Sequence, residues 1–123
     1  MRFYVAGKFD DRLCVRGLMD KLEELGHEIT FDWTTEHYQN KEETHEDAME
    51  CFDGVGSADA FIGLFVNDLP YKGALVEMGA ALGWYADVYI IGHAIDSCIF
   101  SKLATQQFEN EEEFLGFIRN ESS

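Results

Sequence analysis

The chain reads as one α/β domain built on a parallel sheet, and three observations predict it. Short β-prone runs alternate with stretches of helical spacing along the whole length. The central run AFIGLFV at 60–66 is apolar throughout, as a strand covered on both faces must be. The intervening segments are long enough to cross over between parallel neighbours. At 123 residues, 46% of them hydrophobic, the chain has the size and core of a single domain over 1–123.

The elements follow in order. Residues 2–6 (RFYVA) make a first strand ending at Gly7. Asp10 and Asp11 then offer an N-cap to a helix whose apolar residues Val15, Leu18, Met19, Leu22 and Leu25 keep 3–4 spacing. Gly26 stops that helix. Residues 29–33 (ITFDW) predict a second strand, and the polar residues 34–46 a long loop. Thr44 or Glu46 begins the next helix, with Ala48, Cys51, Phe52 and Val55 inward.

After Gly56 comes the apolar strand 60–66, and the loop NDLPYK leads into a helix carrying Glu77. DVYIIG at 87–92 is a fourth strand. Residues 98–104 form a helical turn, Gln106–Phe108 a short last strand, and Glu111–Ile118 a closing helix with Phe114, Leu115 and Ile118 inward. Five strands with right-handed crossovers predict a flavodoxin-like three-layer sandwich, a five-stranded parallel sheet in the order 2-1-3-4-5. Its switch point lies between strands 1 and 3, where the loops Gly7–Asp11 and Asn67–Gly73 border the crevice.

With 24 Asp and Glu against 9 Lys and Arg, the formal charge is −15. That balance opposes polyanionic partners, so neither nucleic acid nor an anionic membrane surface is expected. Small nucleotides remain compatible, since helix-terminal N–H groups hold a phosphate. The opening MRFYVAGKFDD lacks the apolar centre of a secretory signal, and no stretch reaches the roughly 18 apolar residues of a membrane span. A cytoplasmic location is expected. Cys14, Cys51 and Cys98 form no CxxC pair, and no set of His, Cys and carboxylates has metal-ligand spacing. Neither a metal nor another cofactor is expected.

Against this acidic background one carboxylate stands apart. Between Gly73 and Ala86 the sequence is GALVEMGAALGWYA, and Glu77 is its only charge. A carboxylate among apolar residues must be paired, neutralised or employed. The start of the helix favours its ionised form, and burial opposes it. Held by N–H groups and poorly hydrated, such a group is a nucleophile toward a sugar carbon of oxocarbenium character. The structural alternative is a carboxylate paired with Lys72 or a loop hydroxyl.

Read with its flanks, this segment resembles a known family. YVAG at 4–7, the run from Ala48 to Phe65 with its Ala58-Asp59 pair, and GALVEMGAALG at 73–83 resemble the nucleoside 2-deoxyribosyltransferase family, which includes deoxynucleoside 5′-monophosphate N-glycosidases. The likeness extends from residue 2 to about 118, and GxxxExGxA is its most specific piece. It implies cleavage of the N-glycosidic bond of a 2′-deoxynucleoside or its 5′-monophosphate. Glu77 attacks C1′, and water or a second base resolves the covalent sugar intermediate. It further implies that Tyr4 orients Glu77 or the sugar, and that Gly7 lets the backbone approach closely. Lys8 and Phe9 then lie along base or sugar, and Gly73 leaves room for the 5′ end. Homodimers or higher homo-oligomers are implied, with Ser97 at the position from which a small polar residue reaches the neighbouring subunit's site.

Two positions depart from the pattern. An aspartate is usual eight residues before the Asp of the AD pair, and here that position is Cys51. A thiol is a weak donor with a pKa of about 8.5, and loss of acid–base help forfeits about 10²–10⁴ in rate. Asp47, one turn earlier on the same helix face, is the substitute. Where the monophosphate hydrolases carry an Arg and a Ser for phosphate, this chain has Asp10 and Tyr71, which favours an uncharged 5′ end. His27 reads as a surface loop residue, and His37 and His45 belong to the polar loop. His93 lies at the sheet's carboxyl edge, and Trp33 ends strand 2, against a base or at the core's edge. Two other functions stay open: a nucleoside- or nucleotide-binding module with weak or lost catalysis, and an NAD- or nucleotide-sugar-cleaving enzyme.

Overall fold

The computed structural model describes residues 1–35, 43–68 and 70–121. Its five strands are β1 (Arg2–Ala6), β2 (Glu28–Ile29), β3 (Ala60–Leu64), β4 (Asp87–Ile91) and β5 (Gln106–Phe108). They pair in parallel in the order β2-β1-β3-β4-β5. This is the predicted flavodoxin-like arrangement. The helices are α1 (Arg12–Glu24), α2 (His45–Ser57), α3 (Lys72–Gly83) and α4 (Glu111–Glu121), with short 3-10 turns at Phe9–Asp11 and Ile99–Leu103.

Alternation along β1 sorts the layers, because successive side chains point to opposite faces. Phe3 meets Phe114 of α4 edge-on, and Lys21 of α1 pairs with Glu111 of α4 at 2.7 Å, so α1 and α4 share that face. Tyr4 points the other way, over the backbone of Gly54 in α2 and onto the ring of Phe61 in the adjacent strand. Helices α2 and α3 cover this second face. Fully buried Phe3, Phe61, Phe65 and Phe114, with Leu18, Leu22 and Ile62, fill the layers. Each such side chain contributes about 1.5–3 kcal/mol by leaving water.

Several elements differ from their predicted bounds. β2 is two residues rather than 29–33, for a reason visible in the hydrogen bonds. Thr30 N–H still donates to Phe3 C=O at 2.9 Å. The next acceptor along β1, Val5 C=O, is taken by the indole N–H of Trp33 at 2.7 Å. A side chain thus replaces the ladder, and Asp32 turns the chain by accepting from Thr34 N–H at 2.8 Å. β3 stops at Leu64, although Phe65 N–H still donates to Ile91 C=O at 2.8 Å.

Helix α1 has Asp11 at its N-cap position without a side-chain capping bond, and Asp10 lies within the preceding 3-10 turn, whose own cap position is Lys8. In α2, Thr44 is the cap, in a reciprocal box with Asp47. The buried face of α2 is Asp47, Gly54 and Val55, with Cys51 half-buried. Ala48 and Phe52, predicted inward, are exposed. Among the described residues no helix is long and apolar enough to cross a membrane.

Candidate functional site

The carboxyl ends of β1 and β3 open onto a cavity of about 700 Å³ at the sheet's switch point. Its walls come from the loop after β1 (Gly7, Lys8, Phe9, Asp10), Trp33, the first half of α2, and the start of α3. Ligands of open α/β sheets occupy this position because the strand order reverses there and the two loops diverge.

Glu77 sits in the second turn of α3, and Tyr4 reaches it from β1. Tyr4 Oη donates to Glu77 Oε2 at 2.5 Å. Burial pushes the Glu77 carboxyl up to about 7, against the opposing pull of the Tyr4 bond. Burial, then the neighbouring Glu77, holds the Tyr4 phenol well above its usual 10. Among the described residues no cation lies within ion-pair distance of Glu77. Lys72, the partner offered by the structural alternative, is exposed at the start of the same helix.

Gly54 makes the Tyr4 position available. A Cβ there would lie 2.8 Å from Phe31 Cβ and 3.1 Å from the Tyr4 ring. The glycine lets α2 approach β1 closely enough for Cys51 to interact with the Tyr4 hydroxyl. Burial pushes the Cys51 thiol up to about 11, and Glu77 adds to the rise while the Tyr4 bond opposes it. A thiol so poised holds its proton.

Asp47 also lines the cavity and is only 6% exposed. It occupies the N3 position of α2, where Oδ2 accepts from Thr44 N–H at 3.0 Å while its own N–H donates to Thr44 Oγ1 at 3.2 Å. One of its oxygens is therefore engaged in starting the helix.

Two ties hold the flanking loops together. Asp11 accepts from Asn67 Nδ2 at 2.8 Å and from the Tyr71 hydroxyl at 3.2 Å, and Tyr71 Oη accepts from Asn67 N–H. The carboxylate predicted to cap α1 instead joins the two sides of the crevice. Lys8 Nζ donates to Pro70 C=O at 2.9 Å. Phe9 carries the Arg12 guanidinium over its ring, 4.7 Å from the centroid.

Of the residues singled out in the sequence, Tyr4, Gly7, Lys8, Phe9, Asp47, Cys51, Tyr71, Gly73 and Glu77 all line this one cavity. Gly7 has a packing reason as well, since a Cβ would lie 2.9 Å from Val15 Cγ2. At Gly73 a Cβ would meet nothing within 4 Å, so packing does not demand glycine there. Ser97 is exposed on the turn after β4 and does not line the cavity of its own chain. His93 is likewise outside it, 3.2 Å from Asp96, and His45 is exposed on α2. His27 is half-buried, its ring edge-on to Phe3. His37 lies outside the described residues.

Sequence reading missed Glu43, Phe52, Pro70 and Val76 as lining groups. The periodicity placed Phe52 inward, whereas Phe52 and Val76 are 42% and 68% exposed and face the cavity's opening. Among the described residues no group of three or more His, Cys, Asp or Glu is placed to hold a metal ion.

No family model matches the chain, and no curated protein matches it. The fold does have a solved counterpart. The chain is similar to a Clostridium botulinum CMP N-glycosidase, BcmB, with a TM-score of 0.63 over 97% of this chain and 98% of that one, at 16% identity. At that identity the likeness is one of fold.

Proposed function

We propose that the protein cleaves the N-glycosidic bond of a nucleoside or nucleotide, in particular a 2′-deoxynucleoside or its 5′-monophosphate. Glu77 attacks C1′ to form a covalent sugar ester, and water or a second base resolves it. The observation that carries this reading is the half-buried carboxylate at the switch-point cavity, held by a phenol and by no cation among the described residues. Its fold likeness to a CMP N-glycosidase supports it.

In this mechanism Tyr4 donates to one oxygen of Glu77 and the other attacks. A carboxyl titrating at about 7 is ionised in roughly half the molecules at neutral pH, and as an anion it is poorly hydrated and reactive. Gly73, where a Cβ would meet nothing within 4 Å, is the position this reading assigns to the sugar's 5′ end. The test is base release from a panel of deoxynucleosides and 5′-monophosphates, some with neutral and some with cationic bases, with and without a second base. Wild type is expected to release base and Glu77→Ala to lose that activity. Equal turnover by the variant, or none by wild type on any member, rejects the reading.

The high pKa of Cys51 favours a second reading, a binding module with weak or lost chemistry. Calorimetric titration showing saturable nucleotide binding without product supports it, and absence of binding removes it. For assembly, the exposed Ile99, Phe100 and Leu103 beside Ser97 form the surface we assign to contact between copies, in a homodimer or higher homo-oligomer. A mass by light scattering equal to one chain rejects that assignment.

A further inference from the structure

We propose that the preferred substrates are N-glycosides whose base is a cation, such as an N-ribosyl pyridinium or an N7-alkylated purine nucleoside. This rests on the reading of Glu77 as an attacker of C1′ and names the substrate class of the same cavity.

The first argument is charge. The cavity is lined by four carboxylates, Asp10, Glu43, Asp47 and Glu77, and by two ammonium groups, Lys8 and Lys72. Lys8 is already bonded to Pro70 C=O. The whole chain carries −15, so its field draws in cations and repels anions. Phe9, Trp33 and Phe52 add aromatic wall, and aromatic rings attract cationic ring systems.

The second argument is proton supply. An ordinary base departs from C1′ as an anion unless an acid protonates it, and the uncharged donors beside Glu77 are Tyr4 and Cys51. Both hold their protons, the phenol well above 10 and the thiol to about 11. A cationic base needs no acid. As Glu77 Oε bonds to C1′, the C1′–N pair moves onto the ring nitrogen, the positive charge is cancelled, and the base leaves neutral. Water then attacks C1′ and the Glu77–C1′ bond breaks. The water's second proton passes to a cavity carboxylate and on to solvent, so one cationic nucleoside and one water yield sugar, neutral base and a proton.

A bound cation also favours the ionised Glu77. The other charged or titratable groups around it are Tyr4 from β1, Asp47 and Cys51 from α2, Lys8 and Asp10 from the loop after β1, Glu43 before α2, and Tyr71 and Lys72 at the head of α3. Tyr4 and Cys51 stay protonated between pH 6 and 8.

The matched probes are the 2-deoxyriboside of nicotinamide and its 1,4-dihydro form, which differ chiefly in charge. Calorimetry should show the cation binding at least about tenfold more tightly at pH 8, with the advantage shrinking toward pH 6 as Glu77 takes up its proton. Nicotinamide release should exceed base release from neutral deoxynucleosides by a similar or larger factor. Glu77→Gln should weaken the binding preference at pH 8, leaving the part owed to Asp10, Glu43 and Asp47, while still binding the dihydro form, which shows that the variant is folded. If neutral deoxynucleosides bind and turn over as well as the cation, this inference fails while the glycosidase reading stands. A cation preferred in binding but never cleaved leaves the charge selection standing and rejects the chemistry. A preference that survives Glu77→Gln unchanged overturns the inference.

Discussion

The Tyr4 hydroxyl and the Glu77 carboxylate lie 2.5 Å apart and join β1 to the second turn of α3 across 73 residues. No cation shares the carboxylate among the described residues, so the phenol is its one assigned donor. Hydrogen bonds to charged acceptors contribute about 1.5–3 kcal/mol. That is enough to moderate the effect of burial without cancelling it, and the carboxyl settles at about 7. The same phenol interacts with Cys51, so three side chains from three elements share one hydroxyl's geometry. Tyr4 acts here by positioning and tuning Glu77.

Removing the donor should therefore shift the pH response as well as the rate. In Tyr4→Phe the Glu77 carboxyl rises further above 7. The acidic limb of the pH–rate profile is expected to move up by about one unit, with kcat losing more at pH 6 than at pH 8. A uniform loss at all pH values would show that Tyr4 does not tune the carboxyl.

Burial of Glu77 also predicts a stability effect with a definite sign. The folded value of about 7 exceeds the ordinary 4.5, so the folded chain binds this proton more tightly than the unfolded one. Stability from this group is complete below about 4.5, falls as pH rises through 7, and is lost above it. Glu77→Gln removes the charge, so the variant should exceed wild type by on the order of 2 kcal/mol at pH 8 and match it near pH 4. Urea titrations at the two pH values measure this. A variant less stable than wild type at pH 8 contradicts the assignment.

Cys51 offers a gain-of-function experiment. Cys51→Asp puts a carboxyl beside Tyr4 and Glu77, where crowding of two acids raises one of them and supplies a proton donor. Release of neutral bases is expected to increase by at least about tenfold, within the 10²–10⁴ span of general-acid help. No increase, in a variant that still binds nucleoside, would mean that position 51 does not face the leaving nitrogen.

Gly54 lies outside the cavity yet controls it. In Gly54→Ala the new methyl meets Phe31 Cβ at 2.8 Å and the Tyr4 ring at 3.1 Å, so α2 and Tyr4 must shift. Overpacking of this kind costs about 1–3 kcal/mol. The variant should show a lowered melting temperature together with the altered pH profile of Tyr4→Phe. A destabilised variant with a normal profile would separate packing from tuning.

By itself the sequence determined the alternation of strands and helices, the 2-1-3-4-5 order, and the isolation of Glu77. Period and length report these directly, and crossover handedness leaves few topologies to choose among. The resemblance placed Tyr4 with Glu77, but neither their spacing nor the absence of a nearby cation can be read from residues 73 positions apart. Only the tertiary structure shortened β2, because whether Val5 C=O accepts from a backbone amide or from the Trp33 indole depends on where that ring packs. It likewise decided that Asp11 ties two loops instead of capping α1, and that Asp47 lines the cavity while starting α2. At Asp11 and at Val5 C=O a polar group had a local partner and a more distant one within reach. Sequence patterns record the local choice, and packing selects between them.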